Sequence, residues 1–274
     1  MNKTILILFI LLLGFSFNSF AKDHDKNNTS LYGGGGFFSK PTYEGSSSRR
    51  FMWIPMVALR YEDHAKTTFN SFEILGPVAR LTVFDNKNFK FGIFGQYEFG
   101  RQNGDDNSLV GLEEIDSHFS TGLNLQYSLP FDFSLNYEIT TDVKDFYSDS
   151  YSSSFGLSYE KSSWITFEQP LTSTTSLTLH YANSDYLNEW FGTPSPAFGD
   201  PKAMYKYYKP DSGFYKTSLS NTTVFPLSDK VLGLVNIGYD RLLGEASDSQ
   251  LVKRQGSSNQ FSLMFTAMYK FYSF

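Results

Sequence analysis

Cysteine is missing from all 274 residues. The first residues mark the chain for export, so its stability does not come from the disulfides common in exported proteins. Positive charge is also scarce. Lys and Arg number 23 against 28 Asp and Glu, a formal net charge of −5. That balance argues against nucleic acid as a partner. Long apolar runs are missing too. After Phe15 no stretch reaches the 18 apolar residues a membrane-spanning helix needs.

What is abundant is aromatic. Phe occurs 28 times and Tyr 18 times, yet mean hydropathy is −0.30. A soluble domain of this length could bury a good core. A lipid-facing barrel reconciles the two numbers better, with aromatic and aliphatic residues outside and Ser, Thr, Asn and Gln inside. The expected domain plan has three parts. Residues 1–21 read as a signal peptide. Lys3 is the positive start, Ile5 to Phe15 the apolar centre, and Ser19 and Ala21 the small residues before a cut near Ala21. Cleavage removes one lysine, which makes the remainder one unit more negative than the whole chain. Residues 22–30 read as a polar periplasmic leader, and 31–274 as the barrel.

The barrel expectation rests on period-two alternation. From Phe261 to Phe271 the odd positions are Phe261, Leu263, Phe265, Ala267, Tyr269 and Phe271. The even positions are mixed and more polar. The chain then finishes on Phe274, as expected of an outer-membrane barrel. The same alternation runs through Phe89–Phe99, Phe119–Leu129, Phe131–Ile139, Tyr151–Tyr159, Ser176–Ala182, Tyr215–Leu227 and Val231–Tyr239. It predicts an all-β, transmembrane, antiparallel, up-and-down barrel of about twelve strands. The strands fall at 30–40, 50–62, 66–75, 77–84, 88–101, 117–129, 131–142, 151–168, 174–185, 213–226, 230–242 and 258–272. Short links follow the even-numbered strands. Longer links follow most odd-numbered ones, with long outer loops at 102–116, 186–212 and 243–257. The short link at Gly76-Pro77 breaks that trend. A periplasmic sandwich or lipocalin-like barrel would also alternate, but would not need outward aromatics on nearly every strand. Closure requires Leu31–Ser39 to pair with Phe261–Phe271, because an open edge cannot face lipid.

Several motifs then suggest a family. Gly238 to Ser249 reads Gly-Tyr-Asp-Arg-Leu-Leu-Gly-Glu-Ala-Ser-Asp-Ser, followed by Val252–Gly256, Ser258–Gln260 and Tyr269–Phe271. Pro41–Ser46, Tyr97–Arg101 with Gly111-Leu112 and Ile115-Asp116, and Asp185-Tyr186 with Phe191–Thr193 add to it. In this order, over about 32–271, the chain resembles the MipA/OmpV family of outer-membrane MltA-interacting proteins. It departs from that pattern after Gly192. There Pro194, Pro196, Pro201 and Tyr205–Lys209 replace an alanine- and glycine-rich run. The resemblance implies a scaffold for murein-synthesising and murein-hydrolysing enzymes in cell-envelope biogenesis. The implied partners are a lytic murein transglycosylase and a bifunctional penicillin-binding protein. Other members are described as porin-like or as adhesins, so a narrow channel and a surface binder using 186–212 stay open. In the adhesin reading Trp190, Phe191, Tyr205, Tyr207 and Tyr208 are exposed.

No enzymatic activity is expected. No catalytic, cofactor-binding or metal-ligating residue is assigned, and no cofactor. The nearest approach to chemistry is a carboxylate group, Asp105, Asp106, Glu113, Glu114 and Asp116, preceding His118. A carboxylate beside a histidine can activate water, but a solvated outer loop has the same composition. His24 lies in the charged leader with Asp23 and Asp25. His180 falls on the wetter face of its strand, with no serine of a recognisable motif nearby. Gly33–Gly36 is no phosphate loop, because no Lys-Ser/Thr and no helix follow. It reads as strand where another backbone or bulky aromatics pack closely. Arg49, Arg50, Arg241, Lys253 and Arg254 fall near outer ends. They either bind lipopolysaccharide phosphates or pair with Asp240, Glu245 and Asp248.

Overall fold

A computed structural model describes residues 29–63, 65–143, 150–164, 170–194 and 205–273. Residues 1–28, which hold the expected signal peptide, nearly all of the expected leader and His24, lie outside the described residues, as does His64.

Twelve antiparallel strands form a closed barrel. They are β1 (Thr29–Pro41), β2 (Arg49–Glu62), β3 (Thr68–Leu75), β4 (Val78–Asp85), β5 (Phe89–Glu98) and β6 (His118–Ser128). Then follow β7 (Phe133–Asp142), β8 (Tyr151–Ser163), β9 (Leu171–Ala182), β10 (Gly213–Ser228), β11 (Val231–Leu242) and β12 (Asn259–Ser273). Each strand pairs with its sequence neighbours, and β1 pairs with β12. The fold class and the strand number match the sequence reading. Boundaries shift by three residues or fewer except at the end of β8, expected at 168 and found at Ser163, next to residues 165–169, which lie outside the described residues. Three of the smaller shifts have a local cause. Residues 99–101 leave β5 to begin the outer loop. Phe131 and Asp132 form a tight turn with positive φ instead of starting β7. β9 stops at Ala182, because Asn183 caps a helix by accepting the Tyr186 N–H at 3.1 Å.

The alternation settles the two faces. On β12 Phe261, Leu263, Phe265, Tyr269 and Phe271 are exposed, while Gln260, Ser262, Met264, Thr266 and Met268 are buried. Exposed here means facing lipid. Burial of the even side chains places them in the barrel interior. Two aromatic bands cover the outside, as at Tyr97–Phe119 and Tyr239–Phe261 near one rim and Phe133–Tyr159 and Tyr269–Phe271 near the other. By the loop-length rule, the first rim is outer and the second periplasmic.

The seam runs from Ser30↔Ser273 to Ser39↔Leu263, with one irregularity between Leu31 and Tyr32. It lies close to the expected pairing. Above it, where the pairing of β1 with β12 has ended, Arg49 Nη1 donates to the Phe261 carbonyl at 2.9 Å. The four glycines lie in this seam. A Cβ on Gly34 would strike the Ala267 carbonyl and one on Gly36 the Phe265 carbonyl, both backbone atoms. Backbone cannot swing aside as a side chain can, so the close approach requires glycine.

Gly34→Val or Gly36→Val is therefore expected to destabilise the barrel by about 1–3 kcal/mol or more, the cost of overpacking. Gly213→Ala, which meets open space, serves as control. Urea unfolding read by the heat-dependent shift in gel mobility checks both. Equal midpoints for the seam and control variants would remove the steric explanation.

Candidate functional site, a capped lumen

The two mouths of the barrel differ. At the outer end four loops fold over the lumen. Residues 42–48 join β1 to β2. Residues 99–117 carry two single 3-10 turns, Asn103–Asp105 and Asn107–Leu109. The β9–β10 link begins with helix α1 (Ser184–Phe191), and the β11–β12 link holds α2 (Gly244–Asp248) and α3 (Gln250–Gln255). Leu187, Phe191, Tyr215, Leu242, Ala246 and Val252 form one buried cluster among them. Tyr43, Leu109, Leu112, Tyr205 and Leu251 form another. The cap is thus a small core of its own, in which apolar burial holds the loops together.

Polar bonds tie this core to the wall. Arg101 is buried, donating to the Trp190 carbonyl at 2.7 Å and to the Glu113 carbonyl at 3.3 Å. Burial lowers its guanidinium below its ordinary value, and Tyr43 and Glu189 partly offset that. Asp106 accepts from Thr42 at 3.0 Å and from both the backbone N–H and hydroxyl of Ser108, at 2.9 and 2.8 Å. Partial burial raises its carboxyl, but these bonds outweigh that and hold it below the usual range. Glu44 meets the buried Lys216 Nζ at 2.7 Å, and Ser249 Oγ donates to the Phe191 carbonyl at 2.6 Å. Gln260 Oε1 accepts from the Gly45 N–H at 3.1 Å, and its Nε2 donates to the Ser46 carbonyl at 3.0 Å. Motif segments scattered from Pro41 to Gln260 therefore converge in one place, the cap.

The cap corrects several expectations. Phe191 and Tyr205 are buried, Trp190 is partly so, and of the five aromatics only Tyr207 stands largely exposed. Their rings stabilise the cap instead of facing outward. The acidic group before His118 does not converge either. Asp105 pairs with Arg50, and Glu114 accepts from the Asn103 N–H at 2.9 Å. His118 turns inward. Its Nδ1 meets the Asp116 carbonyl at 2.9 Å, and its Nε2 lies 3.9 Å from Glu98 and 3.7 Å from Asp142. A serine does stand beside His180, since Ser218 Oγ lies 3.0 Å from its Nε2. Sequence spacing could not show this, because the two meet only through β9–β10 register. Neither borders the lumenal cavity described next. Among the basic residues, Lys253 pairs with Asp248 at 2.9 Å, and Arg49 Nη2 donates to Ser39 Oγ at 2.8 Å.

At the periplasmic end a polar cavity of about 820 Å³ opens from the turns up into the barrel. Its rim includes Phe131, Trp164 and Pro170; its walls come from β2–β9. One wall is charged. Arg60, Glu73 and Arg80 face one another on adjacent strands. Arg80 then reaches Glu138 on β7 at 2.7 Å, and Arg60 meets Glu62 at 2.5 Å. The other wall is hydroxyl and amide: Asn136 donates to Ser158 at 2.9 Å, and Ser158 bonds Ser176 at 2.8 Å. The lining holds three cations, Arg60, Arg80 and Lys90, against five carboxylates, Glu62, Glu73, Asp132, Glu138 and Glu160. Such a chamber favours cationic over anionic guests.

The family model described as "MltA-interacting protein MipA" matches residues 33–271, so the chain belongs to that family, as an outer-membrane barrel. Among curated proteins none matches. Solved structures similar to it include a NanC porin, 9% identical, covering 88% of this chain and 99% of that one, TM-score 0.39. OprB of Pseudomonas putida is 8% identical, covering 89% and 94%, TM-score 0.41. A bacterial polysaccharide outer-membrane secretin is 10% identical, covering 90% and 100%, TM-score 0.41. Likenesses this loose carry no argument about what the chain binds.

The cap makes a pH prediction. Tyr205 donates to the Ser108 carbonyl at 2.7 Å, and burial pushes its phenol up to about 12. An unfolded tyrosine titrates near 10. The bond's contribution is therefore complete below about pH 10 and is lost as pH rises towards about 12. Near-ultraviolet titration of tyrosinate should show one fewer late-titrating phenol in Tyr205→Phe, and proteolysis of the outer loops should accelerate across that window in the parent. An unchanged late phase in the variant would contradict the assignment.

Proposed function

We propose that this family member is a periplasm-facing anchor in the outer membrane, on which a murein-processing enzyme docks. The family description names an interaction with MltA, a lytic murein transglycosylase, and the proposal extends that partner class to this chain. A bifunctional penicillin-binding protein is the second partner in this reading. The observation that carries it is the contrast between the mouths: a capped outer end, and an inner end opening into an acidic, hydroxyl-lined chamber. An anchor needs its recognition surface on the side where murein enzymes work. The rim offers Phe131, 86% exposed on a tight turn with positive φ, and Trp164, 59% exposed. Aromatics of this kind are strong anchors for protein contacts, and the excess of carboxylates suits a basic segment of the partner.

A narrow channel is the second reading, favoured by the same polar chamber. In that reading the cap is a gate, and conduction requires it to move.

Photo-crosslinking side chains placed at Phe131 and Trp164 in living cells test the anchor. Strong capture of a murein hydrolase or synthase, absent when the side chain is placed at outer Tyr207, is the expected result. No murein enzyme above background, with the barrel folded, would overturn it. Planar-bilayer recordings separate the channel. The intact barrel is expected to show no steps, and conductance confined to a form lacking 186–212 would make the cap a gate.

A further inference from the structure

The barrel wall is cut short at one place. β3 and β4 have eight residues each and turn back at Gly76-Pro77. β2 pairs with β3 only from Ala58↔Leu75 to Glu62↔Ser71, and Gly76 N–H donates to the Val57 carbonyl at 2.9 Å. Residues 49–56 continue beyond, about 26 Å of strand at roughly 3.3 Å per residue. Among the described residues no strand pairs with that stretch on the β3 side. Alternation aims the backbone of Pro55, Trp53 and Phe51 the same way as that of Val57, towards the missing neighbour. Proline there is informative, because a residue without an N–H is tolerated at an unpaired edge. On the far side, Tyr97 N–H donates to the Pro77 carbonyl at 3.1 Å and β5 stops at Glu98. Arg50 and Asp105 bridge the top. The result is a framed opening between β2 and β5.

Both sides of the opening are apolar. Outside stand Phe51, Trp53 at 80% exposure and Val57, continuous with the lipid-facing belt. Inside, Tyr32, Phe38, Ile54, Met56, Leu234, Met264 and Met268 belong to one buried cluster, with Met52 and Phe99 packed against it. Three of the chain's six methionines are in this cluster and a fourth, Met52, packs against it. Methionine is the side chain that reshapes most readily around an apolar guest. Phe99 also stacks edge-on against Tyr97, on the lipid face of β5, so it connects the cluster to the outside. Polar atoms are stranded on the same interior wall. Asn236 Oδ1, Ser262 Oγ and Thr266 Oγ1 are buried without a hydrogen-bond partner in the described structure. Buried unpaired oxygens are uncommon, and they mark this wall as less tightly satisfied than the rest of the lumen.

We propose that this opening is a lateral passage, closed by Phe99, through which one acyl chain of an outer-leaflet lipid enters the methionine-lined half of the lumen. The chain displaces Phe99 and repacks Met52, Met56, Met264 and Met268. It is independent of periplasmic docking, since it uses the other half of the lumen and the other leaflet.

The test uses the full barrel in lipid nanodiscs and a phospholipid with a diazirine in one acyl chain. After illumination, mass spectrometry maps the labelled residues. Label on Met56, Met264 or Met268 is expected, rising several-fold in Phe99→Ala and falling in Phe99→Trp, with folding verified by gel mobility. Label confined to Trp53, Val57 and Leu263 in the parent and in Phe99→Ala would overturn the proposal. A soluble fatty acid bearing the same diazirine distinguishes the source. Interior labelling by the fatty acid alone would mean access from the water-filled end and would also overturn it. So would cross-linking of residues 51–55 to another protein, which would mean that a partner strand covers the edge.

Discussion

Everything in this molecule depends on one constraint: a peptide group inside the hydrocarbon layer has no water to bond with. A chain with no long apolar helix among its described residues meets that constraint by joining strand edges to one another. Twelve pairings, the β1–β12 seam among them, do so along nearly the whole wall. The side chains follow from that closure. Alternating positions face lipid or lumen, and the many aromatics become an outer coat, which is why a chain of low mean hydropathy can live in a membrane. The short β3–β4 hairpin is the one place where the constraint is relaxed, and there the exposed edge carries a proline and is framed by aromatic rings.

Inside, the lumen is divided. Towards β1, β2 and β10–β12 it is filled by aliphatic and methionine side chains; towards β2–β9 it is wet and charged. The charged part is organised by pairing. Arg80 crosses from β4 to Glu138 on β7, so the ion pair acts as a strut between wall segments. Burying such charges is costly unless each is matched, and the ladder from Arg60 through Glu73 to Arg80 supplies the matching. The cap follows different physics. It is a miniature globular core built by loops, with Arg101 donating to carbonyls from two of them.

The barrel was legible because period-two alternation is a local signal repeated on almost every strand. The short link at Gly76-Pro77 broke the loop-length trend, and it proves to be a short hairpin. Segments where the chain bends locally were harder. Asn183 looked like a continuing strand, but its side chain caps a helix; Phe131 adopts a turn conformation unusual for a residue with its bulk. The cap was least legible. Tyr205, Phe191 and Trp190 have the composition of an exposed recognition loop, and only long-range contacts with Ser108, Ser249 and Arg101 show that they pack inward. The motif residues of the family resemblance were found as separate stretches, and nothing in their spacing revealed that they meet. The same is true of His180 and Ser218, and of the lumenal cavity, whose lining is drawn from eight strands.

The seam between β1 and β12 has a kinetic meaning. It joins residues that are the better part of the chain apart, from Ser30 with Ser273 to Ser39 with Leu263. Every other strand pairing is local and can form as a hairpin while neighbours are still arriving. The seam alone brings together distant parts of the polypeptide, and loop closure over such a separation is slow. Sealing the two edges of the sheet is thus the pairing with the largest loop to close. Until that event both edges are exposed to mispairing, which makes protection of the unsealed sheet the vulnerable stage in the life of this protein.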